Sequence, residues 1–118
     1  MQVGFKATQR DGWTILHIVG EIDMASAPQV RQHAVALVAD GHDHLVIDLS
    51  GVDFCDSTGL GVLVAIVKRV RVAGGDFRLV SNDERFLALL EITRLNRVFD
   101  IYPTVVDATA TSAEGPSS

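Results

Sequence analysis

The feature that most constrains the fold is a strand-like run followed closely by a helix-like run. Residues 45–49 have the composition of a buried strand, and residues 53–63 lead into an apolar segment that ends near residue 73. This order predicts a helix whose first residues include Ser57 and Thr58. A helix start leaves backbone N–H groups without partners and carries a partial positive charge, so a hydroxyl or phosphate group is stable there.

Ser57 taken alone has an ordinary explanation as a helix N-cap. Gly59 and Gly61 let other atoms approach the backbone, because glycine has no Cβ. The same glycines are similar to part of a dinucleotide-binding fingerprint, but Val64 occupies the third glycine's place and a long loop is predicted before them. A nucleophilic Ser57 or Cys55 would need a positioned base, and no motif places any histidine. The sequence therefore predicts a protein that is not an enzyme.

The rest of the chain alternates strand and helix patterns, which predicts an α/β fold. Strands are predicted at residues 3–8, 13–19, 45–49, 77–80 and 98–100. Helices are predicted to begin at residues 26, 57, 81 and 103 and to end near residues 41, 73, 92 and 109. Asp11-Gly12 between two apolar runs is typical of a hairpin turn, so the sheet is predicted to be mixed.

Helix starts and helix faces can also be predicted. Ser26 with Gln29, and Ser81 with Glu84, have the spacing of a capping box. In the helix that begins at Ser57, helical periodicity predicts one broad buried side and a second apolar arc that stays partly exposed. The predicted buried side consists of Leu60, Leu63, Val64, Val67 and Val72. The partly exposed arc consists of Val62 and Ile66. In the next helix, the predicted buried side consists of Phe86, Leu87 and Leu90.

Three groups of polar residues are candidates for chemistry. Glu21 and Asp23 could form an acid/base pair or a solvated turn in which Asp23 binds nearby backbone. Residues 42–44, His-Asp-His, are possible metal ligands, but adjacent loop residues rarely converge on one ion, and a polar connection is the better interpretation. His17 has no companion at metal spacing and is interpreted as a hydrogen-bonded or edge-exposed strand residue. No metal site and no cofactor are predicted.

Size and composition predict one packed domain at residues 1–109, followed by a small, polar and disordered tail at residues 110–118. The net charge of −5 argues against nucleic-acid binding, which normally requires a basic face. Cys55 is the only cysteine, so no internal disulfide is possible and a reducing compartment is expected. No signal-peptide pattern and no apolar run of about 20 residues are present, which predicts a cytoplasmic protein without membrane contact.

Three segments together resemble one family. Residues 56–63, Asp-Ser-Thr-Gly-Leu-Gly-Val-Leu, resemble the phospho-acceptor segment of STAS domains, specifically those of bacterial anti-sigma factor antagonists. Residues 20–23, Gly-Glu-Ile-Asp, resemble a second family motif, and residues 90–99 are similar to the family's closing segment. The resemblance covers residues 3–109. Arg94 departs from it, because the family often has glycine there, and a non-glycine residue at a left-handed helix stop is strained.

The resemblance implies a single STAS domain with about five strands in a mixed sheet and about four helices. It also implies a transcription regulator whose unphosphorylated form binds an anti-sigma factor and releases the sigma factor. That anti-sigma factor would be a serine kinase that phosphorylates Ser57, with Thr58 a weaker acceptor candidate, and a serine phosphatase would reverse the modification. The residues expected at the partner-binding surface are Glu21, Asp23, Asp56, Ser57, Thr58, Gly59, Gly61 and Val62.

An alternative within the same family stays open. The chain could be an adaptor subunit of a stress-sensing or lipid-transport complex that is not switched by phosphorylation. The Asp56-Ser57 sequence and the stand-alone length favour the antagonist.

Overall fold

A computed structural model of the protein describes residues 3–111, in which one mixed five-stranded sheet packs with four α-helices. The predicted α/β fold is therefore confirmed. The strands are β1 (Gly4–Arg10), β2 (Trp13–Ile22), β3 (His44–Cys55), β4 (Asp76–Val80) and β5 (Asp100–Tyr102). The helices are α1 (Ala27–Ala39), α2 (Ser57–Val72), α3 (Glu84–Ile92) and α4 (Val105–Ala108), with a short 3-10 turn at Leu95–Arg97.

The strands follow the order of the chain across the sheet. The β1–β2 pair is an antiparallel hairpin, and Asp11 and Gly12 at its turn have φ of 52° and 87°, in the left-handed region that such turns require. The strands from β2 to β5 are parallel neighbours. Because parallel strands end at the same edge of a sheet, the carboxyl ends of β2 and β3 lie side by side, with Ile22 opposite Cys55.

The two faces of the sheet are covered unequally. Helices α1, α2 and α3 cover one face, where Ile47, Leu63 and Leu79 are fully buried. A smaller cluster on the other face joins the sheet to α4. There the guanidinium group of Arg78 lies 4.3 Å from the centre of the Trp13 ring and donates a 2.7 Å hydrogen bond to the carbonyl of Ala108, which fixes α4 to the sheet.

Two strands are much longer than predicted, and one is displaced. Strand β2 continues through Glu21 to Ile22, and β3 continues six residues beyond Leu49 to Cys55. The predicted long loop before the glycines is therefore wrong, because α2 begins two residues after β3 ends. The last strand lies at Asp100–Tyr102 because the preceding residues close a 3-10 turn, in which the N–H of Val98 donates to the carbonyl of Leu95.

Both predicted capping boxes are wrong. The hydroxyl of Ser26 donates to the carbonyl of Glu21 at 2.7 Å and accepts from the N–H of Asp23, so it closes the preceding turn and does not cap α1. Helix α3 is capped by Asp83, whose carboxylate accepts from the N–H groups of Arg85 and Phe86. Carboxylates are as effective at this position as hydroxyls.

The buried side of α2 is rotated from the predicted one. Ile66, predicted to be partly exposed, is 1% exposed, whereas Val72, predicted to be buried, is 89% exposed. The buried residues follow the i, i+3, i+4, i+7 spacing of one helix face, and Ile66 lies in the middle of that face. Val62 is half-buried, as its predicted position on a second arc requires.

Three smaller expectations concern single residues and the tail. Arg94 adopts the left-handed conformation, with φ of 62°, so the predicted strain is present. His17 is hydrogen-bonded on both sides, as predicted, with Asp48 at 2.7 Å and Thr8 at 2.8 Å. The carbonyl of Thr111 accepts a hydrogen bond from the Trp13 ring, and residues 112–118 of the predicted tail lie outside the described residues.

Candidate functional site

The start of α2 is organised by Asp56, which is the N-cap. Its carboxylate accepts a 3.0 Å hydrogen bond from the N–H of Gly59, and its carbonyl accepts from the N–H of Leu60. Ser57 and Thr58 are the first two residues of the helix, and both are exposed. Within residues 3–111, no hydrogen bond engages the side-chain hydroxyl of Ser57. The hydroxyl is therefore presented to solvent at a helix N-terminus.

The end of β2 lies directly beside this helix start. Ile22 pairs with Cys55, and the N–H of Asp56 donates a 3.1 Å hydrogen bond to the carbonyl of Ile22. Glu21 and Asp23 flank Ile22 in the chain, so their carboxylates belong to the same edge of the sheet. Residues 21–23 therefore lie beside the start of α2.

Asp23 holds its own turn in place. Its carboxylate accepts hydrogen bonds from the N–H groups of Ser26 at 3.0 Å and Ala25 at 2.9 Å. These bonds, with that of Ser26 the strongest influence, lower the pKa of Asp23, so the side chain is ionised at neutral pH. The turn at the site is therefore hydrogen-bonded and negatively charged.

The two glycines of α2 have different surroundings. Gly59 is buried, and a Cβ atom there would lie 2.7 Å from the sulfur of Cys55 and 2.8 Å from Cγ2 of Ile22. Gly61 is exposed, and a Cβ atom there would meet no atom within 4 Å. Gly59 thus lets the helix start pack against β2, while Gly61 leaves a bare patch of backbone beside Ser57 on the surface.

Cys55 is unsuited to act as a nucleophile. Its thiol is largely buried, and this burial, together with the adjacent Asp56 carboxylate, raises its pKa to about 12. The thiolate, which is the reactive form, is therefore almost absent at neutral pH. Cys55 fills space between β3 and Gly59.

Three of the four histidines are hydrogen-bonded away from Ser57. Both ring nitrogens of His17 have partners, His42 binds the hydroxyl of Thr14 at 3.1 Å, and His44 binds the carboxylate of Asp43 at 2.9 Å. In the part of the chain that the structure describes, no three or more potential metal ligands converge. No helix within residues 3–111 has the length and apolar character needed to cross a membrane.

One surface feature beside the site was missed from the sequence. Phe54, near the end of β3, is 52% exposed and lines an apolar groove of about 420 Å³ between β3 and α3. Leu89 and Ile92 line its other side. The sequence showed only an aromatic residue, Phe54, between Asp53 and Cys55. Whether its side chain is exposed depends on which helix packs against the end of β3, and the sequence pattern does not contain that information.

Together, the fold and the site define a class of protein: a small α/β domain that presents free hydroxyl groups at an exposed helix start, next to a charged turn. The particular family follows from comparison, because residues 5–108 match the STAS domain, and the chain belongs to that family. It is similar to the anti-sigma-B factor antagonist of Bacillus subtilis (strain 168), with 40% identity over 101 residues, 86% of this chain and 92% of the relative.

Further similarities agree with this assignment. The anti-sigma-B factor antagonist of Listeria monocytogenes is 33% identical over 102 residues, 86% of this chain and 90% of that protein. The crystal structure of an anti-sigma factor antagonist from Mycobacterium paratuberculosis superposes with a TM-score of 0.84 at 34% identity and covers 92% of each chain.

Proposed function

We propose that this protein is an anti-sigma factor antagonist that is switched by phosphorylation of Ser57. The unphosphorylated form binds an anti-sigma factor and releases the sigma factor that it held. The observation that carries the proposal is the exposed hydroxyl of Ser57 at the start of α2, next to a capping Asp56, with no hydrogen bond to it from the residues that the structure describes. The names of relatives with 33% and 40% identity over most of their length support the same function.

The position of Ser57 suits a group that must gain and lose a phosphate. Asp56 already caps the helix, so modification of Ser57 removes no side-chain hydrogen bond from the fold. A phosphate at a helix N-terminus is stabilised by the helix dipole and by free N–H groups. The fold therefore persists in both states, and the difference between them is confined to the surface.

The switch itself is electrostatic and steric. Glu21, Asp23, Asp53 and Asp56 already make this edge of the domain acidic, so its partner surface is basic or strongly polar. A phosphate adds nearly two negative charges and considerable bulk at the centre of that surface. A partner fitted to the bare hydroxyl of Ser57 is expelled.

The proposed partners follow from this chemistry. The anti-sigma factor is itself a serine kinase that brings ATP and Mg²⁺, and a serine phosphatase removes the phosphate. Thr58 is also exposed and remains the weaker acceptor candidate. The protein acts as a substrate and binding module and not as an enzyme, which agrees with the buried, protonated thiol of Cys55 and the engaged ring of His17.

The test is phosphorylation by candidate kinases. Each serine-kinase anti-sigma factor encoded in the same genome is incubated with the protein and ATP, and the acceptor peptide is read by mass spectrometry. We expect one kinase to modify Ser57, to leave the Ser57→Ala variant unmodified, and still to modify Ser57 in the Thr58→Val variant. Modification of Ser26, Ser50 or Ser81 with Ser57 untouched would contradict the proposal. Tight binding of a kinase with no phosphorylation at all would favour the adaptor alternative.

A further inference from the structure

A second apolar groove runs along the other side of the Ser57 helix, between α1 and α2. Its volume is about 510 Å³. Met24, just before α1, is 74% exposed and forms one wall, and Val62 of α2 forms the other. Thr58 lies at one end, so the groove begins next to the proposed phosphorylation site and leads away from it. Its remaining apolar lining comes from Ala27, Pro28 and Val35.

The charge of this groove is opposite to that of the edge around Ser57. Arg31 of α1 and Arg69 of α2 both line it, and both are exposed. Within residues 3–111 neither arginine forms an ion pair with a carboxylate. Arg31 and Arg69 therefore form a positive strip beside the apolar lining of the groove, although the chain as a whole has a net charge of −5. Such a strip fits a partner segment that carries carboxylates beside its apolar side chains.

The length of the groove fits a helix. Thr58 and Arg69 are separated along α2 by about 16 Å, at ~1.5 Å of rise per residue. This is roughly three helical turns, enough for apolar side chains at positions i, i+3 or i+4, and i+7 of a bound helix. Met24 adds a flexible, polarisable wall of the kind that adapts to such side chains.

We propose that the α1–α2 groove binds an acidic amphipathic helix of the anti-sigma factor. The apolar face of that helix contacts Met24 and Val62, and its carboxylates pair with Arg31 and Arg69. This inference rests on the proposed function and extends it. The partner must carry two features in a fixed order: a basic or polar surface over Ser57, and an acidic helix leading from it along the groove.

The test uses the kinase that phosphorylates Ser57 in the experiment above, with its affinity for the unmodified protein measured at several salt concentrations. Arg31→Glu combined with Arg69→Glu reverses the charge of the strip, and Met24→Ser removes its apolar wall. Lys68→Glu is the matched charge control, because Lys68 is exposed on the same helix outside the groove. Val106→Ser, on α4, is the matched control for an exposed apolar residue.

We expect the double arginine variant to bind the kinase roughly tenfold more weakly, with a flatter dependence on salt, because charges at the edge of an interface act through long-range attraction. Met24→Ser should also weaken binding, and both controls should bind like the wild-type protein. Replacing one acidic residue of the partner helix by arginine should restore part of the affinity of the Arg69→Glu variant.

Three different outcomes overturn the inference. If the groove variants bind as tightly as the wild-type protein while phosphorylation of Ser57 still abolishes binding, the proposed function stands and the groove is not the docking site. If sedimentation shows that the protein dimerises and that Arg31→Glu abolishes the dimer without changing kinase affinity, the occupant is a second copy of the chain. Failure of every kinase to bind the unmodified protein would instead remove the proposed function, and this inference with it.

Discussion

The carboxylate of Asp56 accepts a hydrogen bond from the N–H of Gly59 at 3.0 Å. This bond spans Ser57, whose hydroxyl is the proposed site of phosphorylation. Two neighbouring residues thus divide the tasks that a single serine could have combined. Asp56 stabilises the helix start, and Ser57 remains free to change its chemical state. This separation makes the stability of the fold and the state of the switch independently testable.

The cap predicts different stabilities for two adjacent alanine variants. Asp56→Ala should lower the free energy of unfolding by about 1 kcal/mol, because the N–H of Gly59 loses its partner at the helix start. Ser57→Ala should change it by less than ~0.5 kcal/mol, as expected for a surface substitution that breaks no bond. Urea denaturation of both variants, with Asp56→Asn as the variant that keeps a capping group, measures the difference. Equal destabilisation by both alanines would show that the Ser57 hydroxyl also caps α2.

The two glycines of α2 predict changes of opposite sign. Gly59→Ala would place a Cβ atom 2.7 Å from the sulfur of Cys55, so it should destabilise the fold by about 1–3 kcal/mol. Gly61→Ala meets nothing within 4 Å and should stabilise the helix by about 0.5–1 kcal/mol. Thermal unfolding of the pair tests this. A stabilised Gly61→Ala variant that binds the partner kinase more weakly would place Gly61 in the docking surface.

Much of the fold could be predicted because its signals are local. Asp11-Gly12 predicted the hairpin, and the apolar runs predicted the strands and the order of the helices. The errors came from competition between neighbouring groups. Ser26 has the spacing of a cap but binds the carbonyl of Glu21, and Ser81 precedes Asp83, which caps α3 instead. A sequence shows that a polar side chain is available, but its choice among nearby partners depends on the folded backbone.

The site was only partly predictable for a related reason. The proximity of Glu21 to Ser57 followed from the family resemblance and is explained by the parallel pairing of β2 with β3. The exposure of Met24, and the positions of Arg31 and Arg69 along one groove, arise from the packing of α1 against α2. No periodicity within one helix contains that information, because it depends on the relative rotation of two helices. The rotation error on α2, where Ile66 is buried, has the same origin.

The strained backbone at Arg94 predicts a stabilising substitution. Its φ of 62° lies in the left-handed region, where a Cβ atom costs roughly 1 kcal/mol. Glycine relieves this strain, but it also makes the unfolded chain more flexible, which offsets part of the gain. Arg94→Gly should therefore raise the free energy of unfolding by about 0.5–1 kcal/mol. Arg94→Ala is the control, since it removes the side chain but keeps the Cβ atom. A gain in stability by the alanine variant equal to that of glycine would show that strain is not the cause.

The buried thiol of Cys55 predicts a pH dependence of stability. Its pKa is about 12 in the folded protein against 9.0 for an unperturbed thiol. Above pH 9 the unfolded chain loses this proton and the folded chain keeps it, so the free energy of unfolding falls as the pH rises from about 9 towards 12. Urea denaturation between about pH 8 and 10.5 should show a steeper loss for the wild-type protein than for Cys55→Ala. Parallel losses in the two proteins would mean that the thiol ionises normally.

The switch predicts an order of affinities for the partner kinase. Unmodified protein and Ser57→Ala should bind equally, because neither carries a charge at the helix start. Ser57→Asp should bind more weakly, and phosphorylated protein should bind weakest, since a phosphate carries more charge and bulk than a carboxylate. Calorimetric titration measures the four affinities, and circular dichroism checks that each protein is folded. Val106→Asp is the control, because it adds the same charge at an exposed residue of α4, on the other face of the sheet.

Asp56 makes this order interpretable, because it keeps the helix start intact in all four proteins. Each loss of affinity can then be assigned to the surface and not to a disordered helix. Raising the salt concentration should recover part of the affinity lost by Ser57→Asp, since its defect is repulsion between charges. It should recover less of the affinity lost on phosphorylation, because steric exclusion is not screened by salt. Phosphorylated, folded protein that binds the kinase as tightly as the unmodified form would rule out the charge-based switch.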